Sequence, residues 1–105
     1  MENTVYLTIL YDYYKNLLTK KQCIYFEDYY FYNLSLSEIA SNNYVTRSAV
    51  NKQINLTIKK LIDYESKLKL YENSLKIKEI IKDLDEKTKE LIEGLIWKCL
   101  IKLFI

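Results

Sequence analysis

The stretch that decides the fold is LSLSEIASNNYVTRSAVNKQI, which runs from Leu34 to Ile54. Two helical segments, LSEIASN and RSAVNKQI, flank a short polar turn. Ser35 or Ser37 can cap the first segment and Thr46 can cap the second, because a hydroxyl oxygen accepts a hydrogen bond from the free N–H groups of a first helical turn. Two capped helices joined by a short turn are typical of a helix-turn-helix.

Small and branched apolar residues stand where the two helices of this motif must meet. Ala40 allows a close approach, and Val45 can fill the space between the helices. Val50 and Ile54 are four residues apart, so they share the face by which the second helix packs on the core. We expect one of the two asparagines of SNNYV to take the left-handed conformation that ends the first helix, since asparagine tolerates it.

The other face of the second helix is polar. An exposed helix start that carries Arg and Asn suits the major groove of DNA, where Arg can bind guanine and Asn can bind adenine through two hydrogen bonds each. The alternative is a helical hairpin with an ordinary polar outer face. The predicted nucleic-acid-binding residues are Thr46, Arg47, Ser48, Asn51, Lys52, Asn55 and Lys59.

Arg47 is the only arginine in a chain that otherwise uses lysine for positive charge. Its planar guanidinium matches a guanine edge, a phosphate or a carboxylate, which the ammonium group of lysine does not. Two partners are therefore considered. One is a groove or phosphate of a nucleic acid, and the other is Glu38 within the domain, which would fix the two helices to each other.

Positive charge is concentrated from the same helix onward. The formal net charge is +2, with −2 in residues 1–45, +4 in residues 46–80 and zero in residues 81–105. A local excess of this kind is what a phosphate-binding surface shows. A helix face that is merely solvated would give the same count, so charge alone leaves both interpretations open.

The composition predicts an all-α fold. The 105 residues include one glycine and no proline, whereas a sheet protein of this length needs many tight turns that use these residues. We expect a helix-turn-helix head at residues 1–62. A C-terminal helical extension at residues 63–105 would pack back on the head or form a dimer.

Two further helices are predicted before the motif. Thr19 can cap the second of them, KKQCIYFEDYYFY. The first is predicted from an apolar stripe that repeats at three and four residues and consists of Tyr6, Leu10, Tyr13 and Leu17.

The extension contains two apolar stripes. A break is expected near Asn73 or Ser74, and Asp85 can cap a last helix. This helix ends in GLIWKCLIKLFI, which is too apolar to remain exposed, so we expect it to fold back or to form a homodimer and to bury Trp97. The first stripe has the spacing of a coiled-coil seam and consists of Leu61, Tyr64, Leu68, Tyr71 and Leu75.

Several classes of function lack support in the sequence. There is no histidine, no glycine-rich phosphate loop and no nucleophile motif, so we predict no enzyme and no metal, cofactor or small-molecule site. Cys23 and Cys99 have no metal-like spacing and are expected to be free thiols in a reducing compartment. The N-terminus does not resemble a signal peptide, and Lys98 and Lys102 interrupt the apolar C-terminus. We expect a cytoplasmic protein without a membrane span.

The stretch LLTKKQCIYFEDYYFYNLSLSEIASNNYVTRSAVNKQI resembles region 4 of bacterial sigma factors. The matching features are Gln22 after a basic run, a tyrosine-rich helix end, the Leu-Ser-Leu-x-Glu-Ile-Ala element that ends at Ala40, and Val-Thr-Arg at the start of the second motif helix. The flanking segments LYDYYKNLLTKKQ and TIKKLIDYESKLKLYE narrow the resemblance to the YlxM/p13 family, also called the signal-recognition-particle-associated helix-turn-helix proteins. The resemblance runs from Tyr6 to Leu84.

This resemblance implies a head with the fold of sigma region 4. Genes of the family commonly lie beside those of the signal recognition particle GTPase and its receptor, which implies a role in that pathway. Two functions are therefore expected as alternatives. One is a DNA-binding regulatory protein that uses the polar helix face, and the other is an accessory of the signal recognition particle that binds a protein or RNA partner instead of DNA. Tyr44 stands where many helix-turn-helix units have glycine.

Overall fold

The structure, a computed structural model, describes residues 4–104 and the side chains of residues 4–97. These residues form six α-helices and one short 3₁₀ helix, without a strand among them. The predicted all-α fold is confirmed. In chain order the elements are α1 (Thr4–Tyr14), the 3₁₀ helix (Lys15–Leu17), α2 (Lys20–Tyr30), α3 (Leu36–Asn42), α4 (Arg47–Leu68), α5 (Leu70–Ile81) and α6 (Glu86–Phe104).

Most of the helices begin where the sequence predicts a cap. At α2 the Thr19 hydroxyl accepts from the backbone N–H of Gln22, and the Gln22 side chain accepts from the N–H of Thr19, both at 3.2 Å. Ser35 and Glu38 form the same reciprocal pair at α3, at 3.1 and 3.0 Å. The predicted caps that are confirmed are Thr19, Ser35, Thr46 and Asp85.

Three helix ends carry a residue in the left-handed conformation, and none of the three is glycine. Asn33 has φ 55° after α2, Tyr44 has φ 56° after α3, and Lys69 has φ 54° between α4 and α5. Residues other than glycine and asparagine enter this region only at an energetic cost. The only glycine of the chain, Gly94, lies inside α6. The helix ends at Tyr44 and Lys69 therefore depend on their surroundings and not on a permissive residue.

The turn of the helix-turn-helix takes its left-handed residue from Tyr44, so the expectation that an asparagine would supply it was wrong. Asn43 has φ −109°, and its side-chain amide donates to the carbonyl of Ile39 at 2.7 Å. One residue later, the N–H of Val45 donates to the carbonyl of Ala40 at 3.1 Å, which closes a Schellman motif around Tyr44. The asparagine side chain thus stabilises the helix end while its own backbone keeps a negative φ.

The core consists of two clusters that meet along α4. One joins α2 and α3 to the N-terminal half of α4, and Val45 packs against it as predicted. The other joins α1 and α2 to the C-terminal half of α4. The first cluster is built from Tyr25, Ile39, Ala40, Val50 and Ile54, and the second from Leu7, Leu10, Tyr11, Tyr14, Phe26 and Leu61.

The apolar stripe predicted for the first helix is confirmed in part, since Leu10 is buried and Tyr13 and Leu17 pack half-buried against the core. Tyr6 is exposed, while Leu7, Leu10, Tyr11 and Tyr14 are buried. Periodicity did not predict burial of the last two because each hydroxyl needs a partner from elsewhere in the fold. The Tyr11 hydroxyl donates to a Glu27 carboxylate, and the Tyr14 hydroxyl donates to Oε1 of Glu65 at 2.5 Å. Burial, and then these carboxylates, raise the pKa of both tyrosines.

A buried carboxylate starts α5. Glu65, which is 8% exposed, accepts hydrogen bonds from the backbone N–H groups of Tyr71 at 3.1 Å and Glu72 at 2.9 Å. The Tyr14 hydroxyl donates to the same carboxylate and accepts from the first N–H of α5 at 3.1 Å. The residue before α5, Lys69, offers no side-chain cap. The side chain that satisfies the start of α5 therefore comes from the preceding helix.

Because α4 ends at Leu68, the apolar seam predicted for the extension is divided between two helices. The predicted break near Asn73 or Ser74 was wrong, since both residues lie inside α5. Ser74 is buried and accepts from the Tyr13 hydroxyl at 2.8 Å. α4 itself runs without interruption through residue 62, the predicted boundary between the head and the extension.

α6 folds back on the head only in part. The Trp97 ring lies 6.2 Å from the ring of Tyr13, yet Trp97 is 56% exposed. Leu91 and Leu95 are each 62% exposed. The prediction that Trp97 is buried within one chain was wrong, while its burial in a dimer stays a prediction. No helix in the described part of the chain is long and apolar enough to cross a membrane.

Candidate nucleic-acid interface

α3 and α4 form the helix-turn-helix, and α4 is its second helix. Ile39 and Ala40 of α3 pack against Val50 and Ile54 of α4 in the core. The Thr46 hydroxyl accepts from an N–H in the first turn of α4 at 3.1 Å, so the helix starts at a fixed point directly after the turn. Because the packing uses one side of α4, the opposite side faces solvent.

All seven residues predicted to bind nucleic acid are exposed. Residues four apart lie on one helix face, so Arg47, Asn51, Asn55 and Lys59 form a continuous stripe along α4. Ser48 and Lys52 form a second row beside this stripe. The recognition face, as we call this surface, consists of Thr46, Arg47, Ser48, Asn51, Lys52, Asn55 and Lys59.

Arg47 does not pair with Glu38, so this alternative for its partner was wrong. The Glu38 carboxylate instead accepts from the backbone N–H of Ser35 at 3.0 Å. That bond, followed by the bond to the Ser35 hydroxyl, lowers the pKa of Glu38. Arg47 makes no ion pair within residues 4–97, and its guanidinium is available to a ligand.

The ion pairs of the described residues are confined to the C-terminal half of the chain. Residues 15–60 contain seven lysine or arginine residues against three acidic ones, and none of these cations belongs to such a pair. Uncompensated cations on a surface attract a polyanion. The pairs are Lys67–Asp63, Lys76–Glu72, Lys82–Glu79 and Lys89–Glu86.

Sequence reasoning missed a polar junction between α2 and α4. The Lys60 ammonium donates to the side-chain oxygen of Gln22 at 3.3 Å, and the Gln22 amide donates to Gln53 at 3.5 Å. The exposed Lys20 and Lys21 directly precede Gln22 of this junction in the first turn of α2. Gln22, Gln53 and Lys60 are distant in sequence. The only sequence signal for a shared surface is the basic character of Lys20, Lys21 and Lys60.

The described residues offer few side chains for metal binding or thiol chemistry. The described residues contain no group of three His, Cys, Asp or Glu side chains that could hold a metal ion. Cys23 is a free, half-buried thiol, whereas Cys99 lies outside the residues whose side chains are described. The chemistry that the recognition face offers is hydrogen bonding by amides, hydroxyls and a guanidinium, together with positive charge.

Comparison with known proteins identifies the family. The model of a family described as "Putative helix-turn-helix protein, YlxM / p13 like" matches residues 1–95. A relative from Fusobacterium nucleatum is 41% identical over 97 residues, which cover 91% of this chain and 94% of the relative. A relative from Malacoplasma penetrans is 46% identical over 81 residues, 76% of this chain and 75% of the relative. Both are named UPF0122 proteins. The chain belongs to the YlxM/p13-like family of helix-turn-helix proteins.

Proposed function

We propose that the protein is a DNA-binding regulatory protein that binds duplex DNA with the recognition face of α4. The observation that carries this proposal is the unpaired Arg47 in the first turn of an exposed, capped second helix of a helix-turn-helix. Helices of this kind enter the major groove with their N-terminal residues next to the bases. The excess of unpaired cations in residues 15–60 supports the same partner.

The residues of the recognition face have different proposed roles. Arg47 reads a guanine edge or binds a phosphate, and the amides of Asn51 and Asn55 read adenine. Lys52 and Lys59 bind phosphates. Thr46 and Ser48, at the start of the helix, orient it against the DNA backbone. These roles require neither a catalytic step nor a cofactor. A regulatory protein that binds DNA in this way would act in the cytoplasm.

A salt-titrated binding curve tests the proposal. The variant combines Arg47→Ala, Asn51→Ala and Lys52→Ala, which should leave helical content unchanged because the three sites are exposed and Ala favours helices. Loss of one phosphate contact should lower the slope of log affinity against log salt by about one. Loss of base reading at Arg47 should reduce discrimination between sequences by about 1–3 kcal/mol.

A matched control removes the same chemistry elsewhere. The variant Asn73→Ala, Lys78→Ala, Lys87→Ala also loses one amide and two cations, from exposed sites on α5 and α6 that join no ion pair among the described residues. It should bind DNA like the parent. If the parent binds no duplex at low salt, or if the α4 variant binds as well as the parent, the proposal fails.

A second candidate function is an accessory of the signal recognition particle that binds its protein or RNA. Its support is the resemblance to the YlxM/p13 family together with an apolar face on α6, where Leu91 and Leu95 are exposed. Such an accessory would bind its partner equally well with or without the three α4 substitutions. Parallel titrations with the RNA of the particle and with its GTPase distinguish this role from DNA binding.

We further propose that the head and the extension have separate roles. The head, residues 1–62, would carry the recognition face, and the extension, residues 63–105, would join two copies into a homodimer. The exposed Leu91 and Leu95 support this assignment, because apolar residues of α6 would then be covered by a second chain. A dimer also suits a helix-turn-helix, since two copies read two half-sites.

A further inference from the structure

We propose that Lys20, Lys21 and Lys60 form a second phosphate-binding surface, which we call the flanking strip, beside the recognition face. Its ligand would be the sugar-phosphate backbone of the duplex segment next to the one that α4 reads. This inference rests on the proposed DNA binding and adds a surface beyond the recognition face, formed by the start of α2 and the later part of α4.

The first argument is the packing of α2 on α4. Gln22 is the third residue of α2, is 4% exposed, and accepts from the Lys60 ammonium at 3.3 Å. Its amide donates to Gln53 at 3.5 Å, so the side chain spans the gap between the two helices. Lys20 and Lys21 occupy the same first turn and are exposed. Gln22, which binds Lys60, directly follows Lys20 and Lys21 in the chain, and on this ground we assign the three lysines to one surface.

The second argument concerns the groups that this surface offers to a ligand. They are the lysine ammonium groups and not the backbone N–H groups at the start of α2. The side chains of Thr19 and Gln22 already form a reciprocal capping box at the start of α2. Gln22 holds Lys60 in place through the same side-chain oxygen that accepts from the Thr19 N–H. A ligand would therefore meet Lys60, held by Gln22, together with the exposed ammonium groups of Lys20 and Lys21.

The third argument is the absence of a counter-charge within the described residues. Lys20, Lys21 and Lys60 join no ion pair there. The nearby carboxylates on the same helices have other partners, since Glu27 accepts from a tyrosine hydroxyl and Asp63 pairs with a lysine one turn further along α4 at 3.1 Å. Like charges in one place repel each other, and a bound phosphate backbone would relieve that repulsion.

The position of the strip identifies which part of the DNA it would meet. Lys60 is eight residues beyond Lys52 of the recognition face, which corresponds to about 12 Å along the helix axis. Duplex DNA carries one phosphate charge per about 1.7 Å of its axis. The strip would therefore contact phosphates other than those beside the first two turns of α4, and it would add affinity without reading bases.

The experiment compares the full chain with the variant Lys20→Gln, Lys21→Gln on two duplexes. One duplex covers only the contact of the first two turns of α4, and the other extends it by one helical turn on each side. On the long duplex the slope of log affinity against log salt should fall by about 2, since each lost phosphate contact contributes roughly 0.9. On the short duplex the slopes should agree, and the preference between base sequences should be unchanged on both.

The control Lys78→Gln, Lys87→Gln removes two exposed cations from the extension that join no ion pair among the described residues, and it should match the parent on both duplexes. Circular dichroism checks the fold of each variant, and the single change Lys21→Gln, with an expected fall of about 1, serves if the double variant is unstable. If the double variant and the parent have equal slopes on the long duplex while the Arg47, Asn51, Lys52 variant loses binding, the flanking strip is refuted and the proposed function stands. If the parent binds no duplex at low salt, both are refuted.

Discussion

Tyr44 has a left-handed backbone, with φ 56°, and a side chain that is 97% exposed. The Schellman hydrogen bond from Val45 to Ala40 holds it in that conformation. The exposed ring makes no packing contact in the head that could offset the cost of the left-handed backbone. The tyrosine therefore lowers the stability of the turn. Residues in this conformation cost on the order of 1 kcal/mol or more.

Replacing Tyr44 by an asparagine should therefore stabilise the protein. Asparagine adopts the left-handed region readily, as Asn33 does at the end of α2. We expect Tyr44→Asn to raise the free energy of unfolding by about 1 kcal/mol, measured by urea denaturation. Tyr32→Asn is the matched control, because Tyr32 is exposed but not left-handed, and it should change stability by less than about 0.5 kcal/mol. A Tyr44→Asn variant no more stable than the parent contradicts this explanation.

Glu65 connects three helices, since it lies on α4, binds Tyr14 of α1 and caps α5. Glu65→Ala would leave buried donors on α1 and α5 without an acceptor. We expect a loss of about 2–4 kcal/mol in the free energy of unfolding, from the cost of unpaired buried polar groups. Glu72→Ala breaks only an exposed ion pair with Lys76 and should cost about 0.5 kcal/mol or less. Equal effects of the two substitutions in urea denaturation would contradict the role of Glu65.

The stability of the capped first turn of α3 should depend on pH. The hydrogen bonds from Ser35 lower the pKa of Glu38 below its ordinary value of 4.5. A carboxyl with a depressed pKa contributes stability that is complete above the unfolded pKa and is lost as pH falls through the folded one. We expect the backbone N–H of Ser35 to stay protected above pH 4.5 and to lose protection progressively below it, as measured by NMR. The control is Glu38→Gln, because its amide oxygen can accept the same hydrogen bond but does not titrate. If protection of the Ser35 N–H in this variant still falls below pH 4.5, Glu38 is not the cause.

The elements differ in how far the sequence alone predicts them. Local patterns sufficed for the caps, because Ser35 or Thr46 bonds within its own helical turn. They also sufficed for the exposed α4 stripe, which follows from helical period and from burial of Val50 and Ile54. The break at Lys69 was not predictable, since α5 begins without a side-chain cap at Lys69 and depends instead on Glu65, which is buried against Tyr14 of α1. The same holds for the flanking strip, where side chains distant in sequence meet.

At the scale of the whole molecule, the extension makes the chain elongated. The radius of gyration is 16.5 Å, against about 13 Å for a compact domain of 100 residues. Among the residues of α6 whose side chains are described, Leu91 and Leu95 are exposed. We expect sedimentation equilibrium to give twice the monomer mass for the parent, and the monomer mass for Leu91→Glu, Leu95→Glu with unchanged helical content. A parent that stays monomeric at all concentrations contradicts the proposed homodimer.

The central claim is that the exposed face of α4 binds duplex DNA. The most direct measurement is an NMR titration of the ¹⁵N-labelled protein with a duplex at low salt, in which backbone amide shifts report the contacted residues. The predicted result is a set of perturbations concentrated at the start of α4, from Thr46 to Asn55, and absent from α5. Perturbations confined to α6, or none at saturating DNA, would contradict the claim.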